Sequence, residues 1–207
     1  MTYESIIFDI DGTLWDSRAL VAEGYNTQLR AEGLGHLSVT AEDLKPLFGK
    51  TTDAIADILF TSIPAPERYA LMRRCMDRET EILHADPCHI GYDGVLETLR
   101  TLAEKHRIFI VSNSERGYPE LCMEKLGLTP CITGHLCHGD TGESKGKTIR
   151  ALMARHNITD CVYIGDTQGD LEACREAGVP FIFAAYGLGS ADSWDGKIDS
   201  IAQLLQL

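Results

Sequence analysis

The sequence of 207 residues has the length of one domain, or of a core domain with a modest insertion. Its composition, with 44% hydrophobic and 24% charged residues, shows no biased tract typical of disorder, and its net charge of −12 argues against nucleic acid and anionic membranes as partners. No apolar run approaches the roughly 18 residues of a transmembrane helix, and the irregular spacing of the seven cysteines indicates no disulfide framework. We therefore expect a cytoplasmic protein, monomeric or homodimeric.

The first predicted element is a buried strand at residues 6–8, whose sequence IIF is short and apolar throughout. The stretch that separates it from the next apolar run is far longer than a crossover between parallel strands requires. Within that stretch apolar residues recur only at helical spacing, in three groups: Val21, Tyr25, Leu29; Ile55, Ile58, Leu59; and Tyr69, Met72, Met76, Leu83. We predict a small all-helical cap over residues 16–86, inserted into a core formed by residues 1–15 and 87–207.

Strands and helices alternate from about residue 90 onward. Apolar runs predict buried strands at residues 108–111, 162–164 and 181–183, and a weaker pattern marks another around residues 132–137. Helical spacing recurs in three groups: Val95, Leu99, Leu102; Ile149, Leu152, Met153, His156; and Ile198, Ile201, Leu205. This alternation favours right-handed βαβ units, and hence an α/β fold with a Rossmann-like three-layer αβα core around a parallel sheet.

Polar residues directly follow three of the four clear strands. They are DIDGT at residues 9–13, SNS at residues 112–114 and GDTQGD at residues 165–170. In open α/β sheets ligands bind beyond the carboxyl ends of the strands, so these residues are candidates for a site. Asp9 and Asp11 are two positions apart, which on a strand directs both side chains to the same side.

Asp166 and Asp170 add two carboxylates from a different strand at the same predicted edge. Carboxylates this close repel one another unless a cation lies between them or one of them holds a proton, and hard oxygen ligands in this number suit Mg²⁺ better than Zn²⁺. Taken singly, each aspartate is better explained as a turn former or a helix cap. Four of them on two strands, with Ser112 on a third, favour a magnesium-binding catalytic site.

Taken in order, DIDGTL at residues 9–14, Ser112-Asn113, Lys145 and GDTQGD at residues 165–170 resemble the four motifs of the haloacid dehalogenase superfamily. The resemblance spans the whole chain. It implies a Rossmann-like core with a helical cap inserted after the first strand, in agreement with the elements predicted above from apolar spacing. It also implies an enzyme that hydrolyses small phosphate monoesters, with Mg²⁺ as cofactor and a covalent phospho-aspartate as intermediate.

The resemblance gives each aspartate a role. Asp9 resembles the nucleophile that attacks phosphorus and binds Mg²⁺ through its other oxygen. Asp11 is similar to the general acid that protonates the leaving alcohol and then acts as the base that activates water, while its backbone carbonyl binds the metal. Asp166 resembles the remaining side-chain metal ligand, and Asp170 a support for the metal or the lysine. Because Asp9 must be ionised while Asp11 is protonated, the site has to separate their pKa values.

Other residues of the pattern are implied to bind the phosphate or the rest of the substrate. The Ser112 hydroxyl and the Asn113 backbone amide resemble groups that hold the transferring phosphoryl. Gly12 permits a turn that brings backbone amides near the phosphate, or is simply a turn glycine. Lys50 lies in a loop of the predicted cap, at about the place where capped relatives contact the leaving group; the alternative is a solvated surface lysine.

The lysine of the pattern is Lys145 or Lys147, at the start of a predicted helix that Ser144 can cap. We favour Lys145, because it fits the loop just before the helix. Members of the family often have proline after this lysine, whereas this chain has Gly146. The alternative for either lysine is a place on the surface.

The expected substrates are small phosphorylated metabolites such as phosphoglycolate, sugar phosphates or nucleoside monophosphates, and the fold does not choose among them. The dehalogenase branch of the family is disfavoured by Asp11, since a leaving halide needs no acid. Two alternatives stay open. One is a phosphomutase of the same family, which uses the same residues, and the other is a phosphate-binding sensor without catalysis, which would be expected to lose a catalytic carboxylate.

Overall fold

The computed structural model describes residues 3–87 and 90–206. Residues 1, 2, 88, 89 and 207 of the predicted core lie outside these ranges. By backbone contacts the chain divides into two compact units, Met1–Asp16 with His89–Leu207, and Ser17–Cys88. We call them the sheet unit and the helical unit. Among the described residues, no helix combines the length and the apolar character needed to span a membrane.

The sheet unit contains a parallel sheet that has six strands within the described ranges. They are β1 (Ser5–Phe8), β2 (Arg107–Ser112), β3 (Ile132–Cys137), β4 (Cys161–Gly165), β5 (Phe181–Ala184) and β6 (Gly196–Ile198). Their order is β3-β2-β1-β4-β5-β6, and all neighbours are parallel. This order is that of a Rossmann-like fold, in which the chain leaves β1 on one side and returns on the other. The predicted α/β fold class is therefore confirmed.

All five predicted strands are present, and the sixth was not predicted. β6 has only three residues, of which Gly196 and Lys197 carry no apolar signal. The sequence analysis placed Ile198 in a helix together with Ile201 and Leu205, and this was wrong for Ile198, which ends β6 with its side chain buried. A short 3₁₀-helix follows instead, at Ile201–Gln206.

The helical unit contains four α-helices and no strand among its described residues. They are α1 (Arg18–Ala31), α2 (Ala41–Leu44), α3 (Thr52–Leu59) and α4 (Ala65–Ala85). The three predicted helical patterns lie in α1, α3 and α4. These helices share a core that includes Leu29, Phe60 and Leu71. The two long helices come closest at Gly24, where a Cβ atom would lie 2.6 Å from the backbone of Glu79, so only glycine permits this packing.

Five more α-helices lie within the described residues of the sheet unit. They are α5 (Val95–Ala103), α6 (Tyr118–Lys125), α7 (His138–Thr141), α8 (Lys145–His156) and α9 (Gln168–Ala177). One face of the sheet packs on α8 and α9, through Ile7 among others. The next residue back along β1, Ile6, lines a cavity on the other face with Leu102 of α5 and Leu204 of the 3₁₀-helix. Successive residues of a strand point to opposite faces, so the sheet has helices on both sides.

Candidate active site

The polar residues after β1, β2 and β4 lie at the point where the strand order reverses. β1 pairs with β2 on one side and with β4 on the other, in parallel. Asp9 directly follows β1, and its backbone N–H donates to the carbonyl of Ile164 in β4, with an N···O distance of 2.9 Å. Only 2% of the Asp9 residue is exposed. Asp9 is thus fixed at the carboxyl edge where ligands bind in folds of this kind.

Lys145 is the cation of this edge. Its Nζ atom lies 3.0 Å from Oδ1 of Asp9 and 2.6 Å from Oδ1 of Asp170, and the side chain is buried. Ser144 fixes the start of α8 by accepting a hydrogen bond from the backbone N–H of Lys147. Burial lowers the pKa of Lys145, but the charges of Asp170 and Asp9 outweigh burial and raise this pKa above its ordinary value. The ammonium group is therefore charged at neutral pH.

Lys147 lies elsewhere. Its side chain is 57% exposed, and its Nζ atom lies 2.8 Å from a carboxylate oxygen of Glu143, also on the surface. The residue between the two lysines explains the departure from the family pattern. A Cβ atom at Gly146 would lie 2.5 Å from Oε2 of Glu176 and 2.8 Å from the carbonyl of Ala173. The close approach of α8 to α9 therefore leaves no room for proline at this position.

Asp170 has donors on both of its carboxylate oxygens. Oδ1 accepts from Lys145 and, at 3.4 Å, from the hydroxyl of Tyr163. Oδ2 accepts from the backbone N–H groups of Asp166 and Thr167 and from the Thr167 hydroxyl, the last at 2.6 Å. Asp170 is thereby the capping-box partner of Thr167 at the start of α9. Asp170 therefore uses both carboxylate oxygens to hold Lys145 and the turn after β4.

Asp166 differs from Asp170 in having one carboxylate oxygen without a donor. Oδ2 accepts from the backbone N–H groups of Leu188 at 2.8 Å and Gly189 at 3.1 Å. Oδ1 is buried and, within the described part of the chain, has no hydrogen-bond partner. Burial, and then the charge of Asp170, raise the pKa of Asp166 to about 7. A buried carboxylate oxygen in this state is unfavourable unless a cation binds it.

Three buried carboxylates lie close together at this edge of the sheet. Asp9, Asp166 and Asp170 each present an oxygen, and these three atoms lie within 4.8 Å of one another. Burial raises the pKa of Asp9 well above its ordinary value, Lys145 opposes this, and the charges of Asp170 and Asp166 add to it. Because Asp170 has donors on both oxygens, the atoms available to a metal are those of Asp9 and Asp166. Buried, oxygen-only donors of this kind suit Mg²⁺.

The loop after β5 contributes to the site, and the sequence analysis assigned no chemistry to it. It supplies the two N–H groups that bind Asp166, and its Gly187 packs so closely that a Cβ atom would lie 2.4 Å from Cβ of Asp166. Gly12 faces Asp166 from the β1 loop, with φ at +80° and a hypothetical Cβ 2.1 Å from Oδ2. The signal available in the sequence was the pair of glycines around Leu188, just after a buried strand.

Asp11 accepts two hydrogen bonds on the same oxygen. The indole N–H of Trp15 and the hydroxyl of Tyr118 each donate to Oδ1, both at 2.8 Å. The sequence analysis assigned no role to Trp15 or Tyr118. No spacing pattern in the sequence links Tyr118 to Asp11, because their contact joins α6 to the distant loop after β1.

Ser112 ends β2 with its side chain buried, and its Oγ accepts from the backbone N–H of Ser114 at 3.2 Å. It lies on the strand next to β1, at the same edge of the sheet, and Asn113 follows it. Lys50 is an exposed residue of the helical unit, in the segment between α2 and α3. The structure therefore brings Asp9, Lys145 and the two aspartates after β4 into one buried cluster, with Lys147 on the surface outside it.

Comparisons with known proteins agree with this geometry. A family model described as haloacid dehalogenase-like hydrolase matches residues 6–184. A phosphoglycolate phosphatase of Xanthomonas campestris pv. campestris is 31% identical over 205 residues, which cover 94% of this chain and 90% of the relative. One from Xylella fastidiosa is 31% identical over 193 residues, covering 90% and 82%. A solved structure described as a predicted phosphoglycolate phosphatase, from Haemophilus somnus 129PT, has a TM-score of 0.86 at 21% identity and covers 100% of this chain and 98% of that chain.

Proposed function

Since this chain belongs to the haloacid dehalogenase-like hydrolase family and is a phosphatase of that family, we propose that it requires Mg²⁺ and forms a phospho-aspartate on Asp9. The observation that carries the proposal is the buried contact of Asp9 with Lys145, beside an Asp166 oxygen that lacks a donor. The names of the curated relatives support phosphoglycolate, or a small ester like it, as the substrate.

Asp9 and Asp166 would hold the metal through their side chains, together with the backbone carbonyl of Asp11. When bound, Mg²⁺ supplies positive charge to the oxygens of the transferring phosphoryl group. The charged Lys145 remains next to Asp9 throughout. It favours the ionised form of this carboxylate against the effect of burial and holds it in place, so that one of its oxygens is ready to attack.

In the first half of the reaction, a carboxylate oxygen of Asp9 forms a bond to phosphorus while the bond to the substrate's alcohol oxygen breaks. Asp11 donates its proton to that oxygen, and the alcohol leaves. The Ser112 hydroxyl and the Asn113 N–H hold the equatorial oxygens of the phosphoryl group. The products of this half are the free alcohol and an acyl phosphate on Asp9.

In the second half, Asp11 has become a carboxylate and can act as a base. It takes a proton from a water molecule as the water oxygen attacks phosphorus, and the bond between phosphorus and Asp9 breaks. Inorganic phosphate leaves, and both aspartates return to their starting states. The same two residues thus serve both halves in opposite directions, as microscopic reversibility requires.

The proposal is tested with the purified protein, a panel of phosphate monoesters that includes 2-phosphoglycolate, and Mg²⁺ or EDTA. We expect Mg²⁺-dependent release of inorganic phosphate, and rapid quenching in acid should trap phosphate on the peptide that contains Asp9. Asp9→Asn should abolish both, because an amide cannot form the acyl phosphate.

Four results would contradict the proposal. Full turnover in EDTA would contradict the requirement for Mg²⁺, and retained activity in Asp9→Asn would contradict the role of Asp9 as the nucleophile. Transfer of phosphate to a second position of a sugar, without release, would instead indicate a phosphomutase. Tight binding of an ester with no turnover would indicate a sensor.

A further inference from the structure

We propose that Tyr118 and Trp15 are positioning residues for Asp11, and that they assign its two oxygens to different tasks. The proposal rests on the proposed function, in which Asp11 is the general acid and base. Oδ1 is the anchored oxygen that accepts from both donors at 2.8 Å. Oδ2 is the oxygen that carries and exchanges the proton.

The chemistry of the donors favours this division. An indole nitrogen donates and never accepts, so Oδ1 must face Trp15 with a lone pair and not with a proton. The Tyr118 hydroxyl donates to the same atom, and the two bonds together occupy both lone pairs of Oδ1. A proton on Asp11 is therefore placed on Oδ2. When the bond between phosphorus and the alcohol oxygen breaks, that proton passes from Oδ2 to the alcohol, and Asp11 becomes a carboxylate.

The two donors are themselves held in place. Trp15 is completely buried, and its backbone forms bridges to both Asp11 and Gly91. Its ring contacts the ring of Tyr118 edge to face, with centroids 5.5 Å apart and an angle of 77°. Tyr118 is the first residue of α6 and follows Gly117, whose φ of +89° turns the chain into the helix. Trp15 is thus held by burial and backbone bridges, and Tyr118 by its place in α6 and its contact with the Trp15 ring.

The placement of Tyr118 also links two parts of the site. The segment that leads from β2 to α6 begins with the phosphoryl-binding candidates Ser112 and Asn113 and ends at Tyr118. Trp15 comes from the loop after β1, which carries Asp9 and Asp11. One donor from each segment therefore fixes the acid relative to both the nucleophile and the phosphoryl group. Such fixing reduces the motion that a proton donor must lose on the way to the transition state.

The test measures phospho-enzyme formation in Tyr118→Phe by rapid quench, with an alkyl phosphate and with p-nitrophenyl phosphate. The change removes one oxygen atom and keeps the ring that contacts Trp15. We expect the rate with the alkyl phosphate to fall by about three- to tenfold, as for one lost hydrogen bond, with KM nearly unchanged. The rate with p-nitrophenyl phosphate should change by less than about twofold, because that leaving group needs no proton.

Tyr186→Phe is the matched control. Its hydroxyl also donates at 2.8 Å to the loop after β1, but to the backbone carbonyl of Thr13 and not to Asp11. We expect Tyr186→Phe to keep the wild-type ratio of the two rates. Equal losses for both leaving groups in Tyr118→Phe, accompanied by a lower Tm, would assign Tyr118 a structural role only and overturn the proposal. A faster reaction with the alkyl phosphate would also overturn it, since the tyrosine would then restrain Asp11 from acting.

Asp11→Asn separates this proposal from the proposed function. If Asp11→Asn slows phospho-enzyme formation from the alkyl phosphate selectively while Tyr118→Phe behaves as wild type, Asp11 remains the general acid, and the positioning role of Tyr118 is wrong. If Asp11→Asn slows phospho-enzyme formation equally with both substrates, the assignment of Asp11 as the general acid is wrong, and the positioning role is wrong with it. Selective loss in both variants supports the two together.

Discussion

The first turn of α8 presents two lysines to two different environments. Lys145 makes an ion pair of 2.6 Å with Asp170, and its side chain is 4% exposed; Lys147 makes one of 2.8 Å with Glu143, and its side chain is 57% exposed. An exposed pair is screened by water and contributes about 0–1 kcal/mol to stability. Breaking a buried pair leaves an uncompensated charge, which costs about 3–5 kcal/mol. The contribution of an ion pair to stability therefore depends on its surroundings more than on the distance between the charged atoms.

The largest effect is expected for Lys145→Met. The substitution leaves the carboxylates of Asp9 and Asp170 buried without their cation, so both stability and catalysis should suffer. We expect kcat/KM to fall by at least about 10³, as for other lost groups that stabilise transition-state charge. Steady-state kinetics measures it, with circular dichroism to show that the variant is folded at the assay temperature.

The double variant Lys145→Met with Asp170→Asn separates the two losses. Neutralising Asp170 should recover part of the free energy of unfolding, because one buried charge is no longer unpaired. Activity should stay as low as in the single variant. Recovery of activity in the double variant would mean that Lys145 serves only to balance Asp170, and that the buried lysine has no part in catalysis.

A similar comparison holds for the two aspartates after β4. Asp166→Asn should raise the Mg²⁺ concentration for half-maximal activity by at least about tenfold, whereas Asp170→Asn should chiefly lower kcat and the melting temperature, because Asp170 holds Lys145 and caps α9. Isothermal titration of each variant with Mg²⁺ checks binding apart from activity. Equal weakening of Mg²⁺ binding in both variants would show that Asp170 contributes to the metal site as directly as Asp166.

Lys50, an exposed lysine of the helical unit, extends the comparison to a residue outside the buried cluster. We propose that it contacts the leaving group of the natural ester. Lys50→Ala should then lower kcat/KM for the best natural ester by about 1–3 kcal/mol, as for a lost charge-assisted hydrogen bond, and leave p-nitrophenyl phosphate almost unchanged. The ratio of the two losses is the measurement. A uniform change, or none, would make Lys50 a surface residue like Lys147.

The smallest effect is expected for Lys147→Ala. Its partner Glu143 is also exposed, so both groups regain water when the pair is lost. We expect kcat/KM to change by less than about twofold and the free energy of unfolding by less than about 0.5 kcal/mol, both measured at moderate salt. A large loss of activity would reverse the comparison and make Lys147 the residue that matters.

The sequence predicted the parts of the site that belong to individual strands. Asp9 and Asp166 were recognisable because each directly follows an apolar run, and the strand order of a doubly wound sheet brings such ends together. The N–H groups of Leu188 and Gly189 could not be predicted, because every residue except proline has a backbone N–H, and the residue type does not show which N–H will bind a side chain. Tyr118 was missed for a related reason: its contact with Asp11 depends on how α6 leaves β2, and this is set by tertiary packing.

The fold was predictable to the same degree. The buried strands left continuous apolar runs in the sequence, and the three patterns of the helical unit left strong periodic signals, since each helix buries an apolar face. β6 left none, because three residues that include a glycine and a lysine gain their strand conformation from pairing with β5 and not from their own preferences.

The position of β1 has a consequence for how the protein is made. Ser5 pairs with Arg107 on one side and with Cys161 on the other, so this four-residue strand has no partner nearby in the chain. Bringing such distant segments together slows folding, although each doubling of the intervening length adds only about 0.6 kcal/mol of closure entropy. During synthesis β1 can therefore be paired on both sides only after β4 has been made. Asp9 directly follows this strand, so its position between β2 and β4 depends on both of these distant pairings.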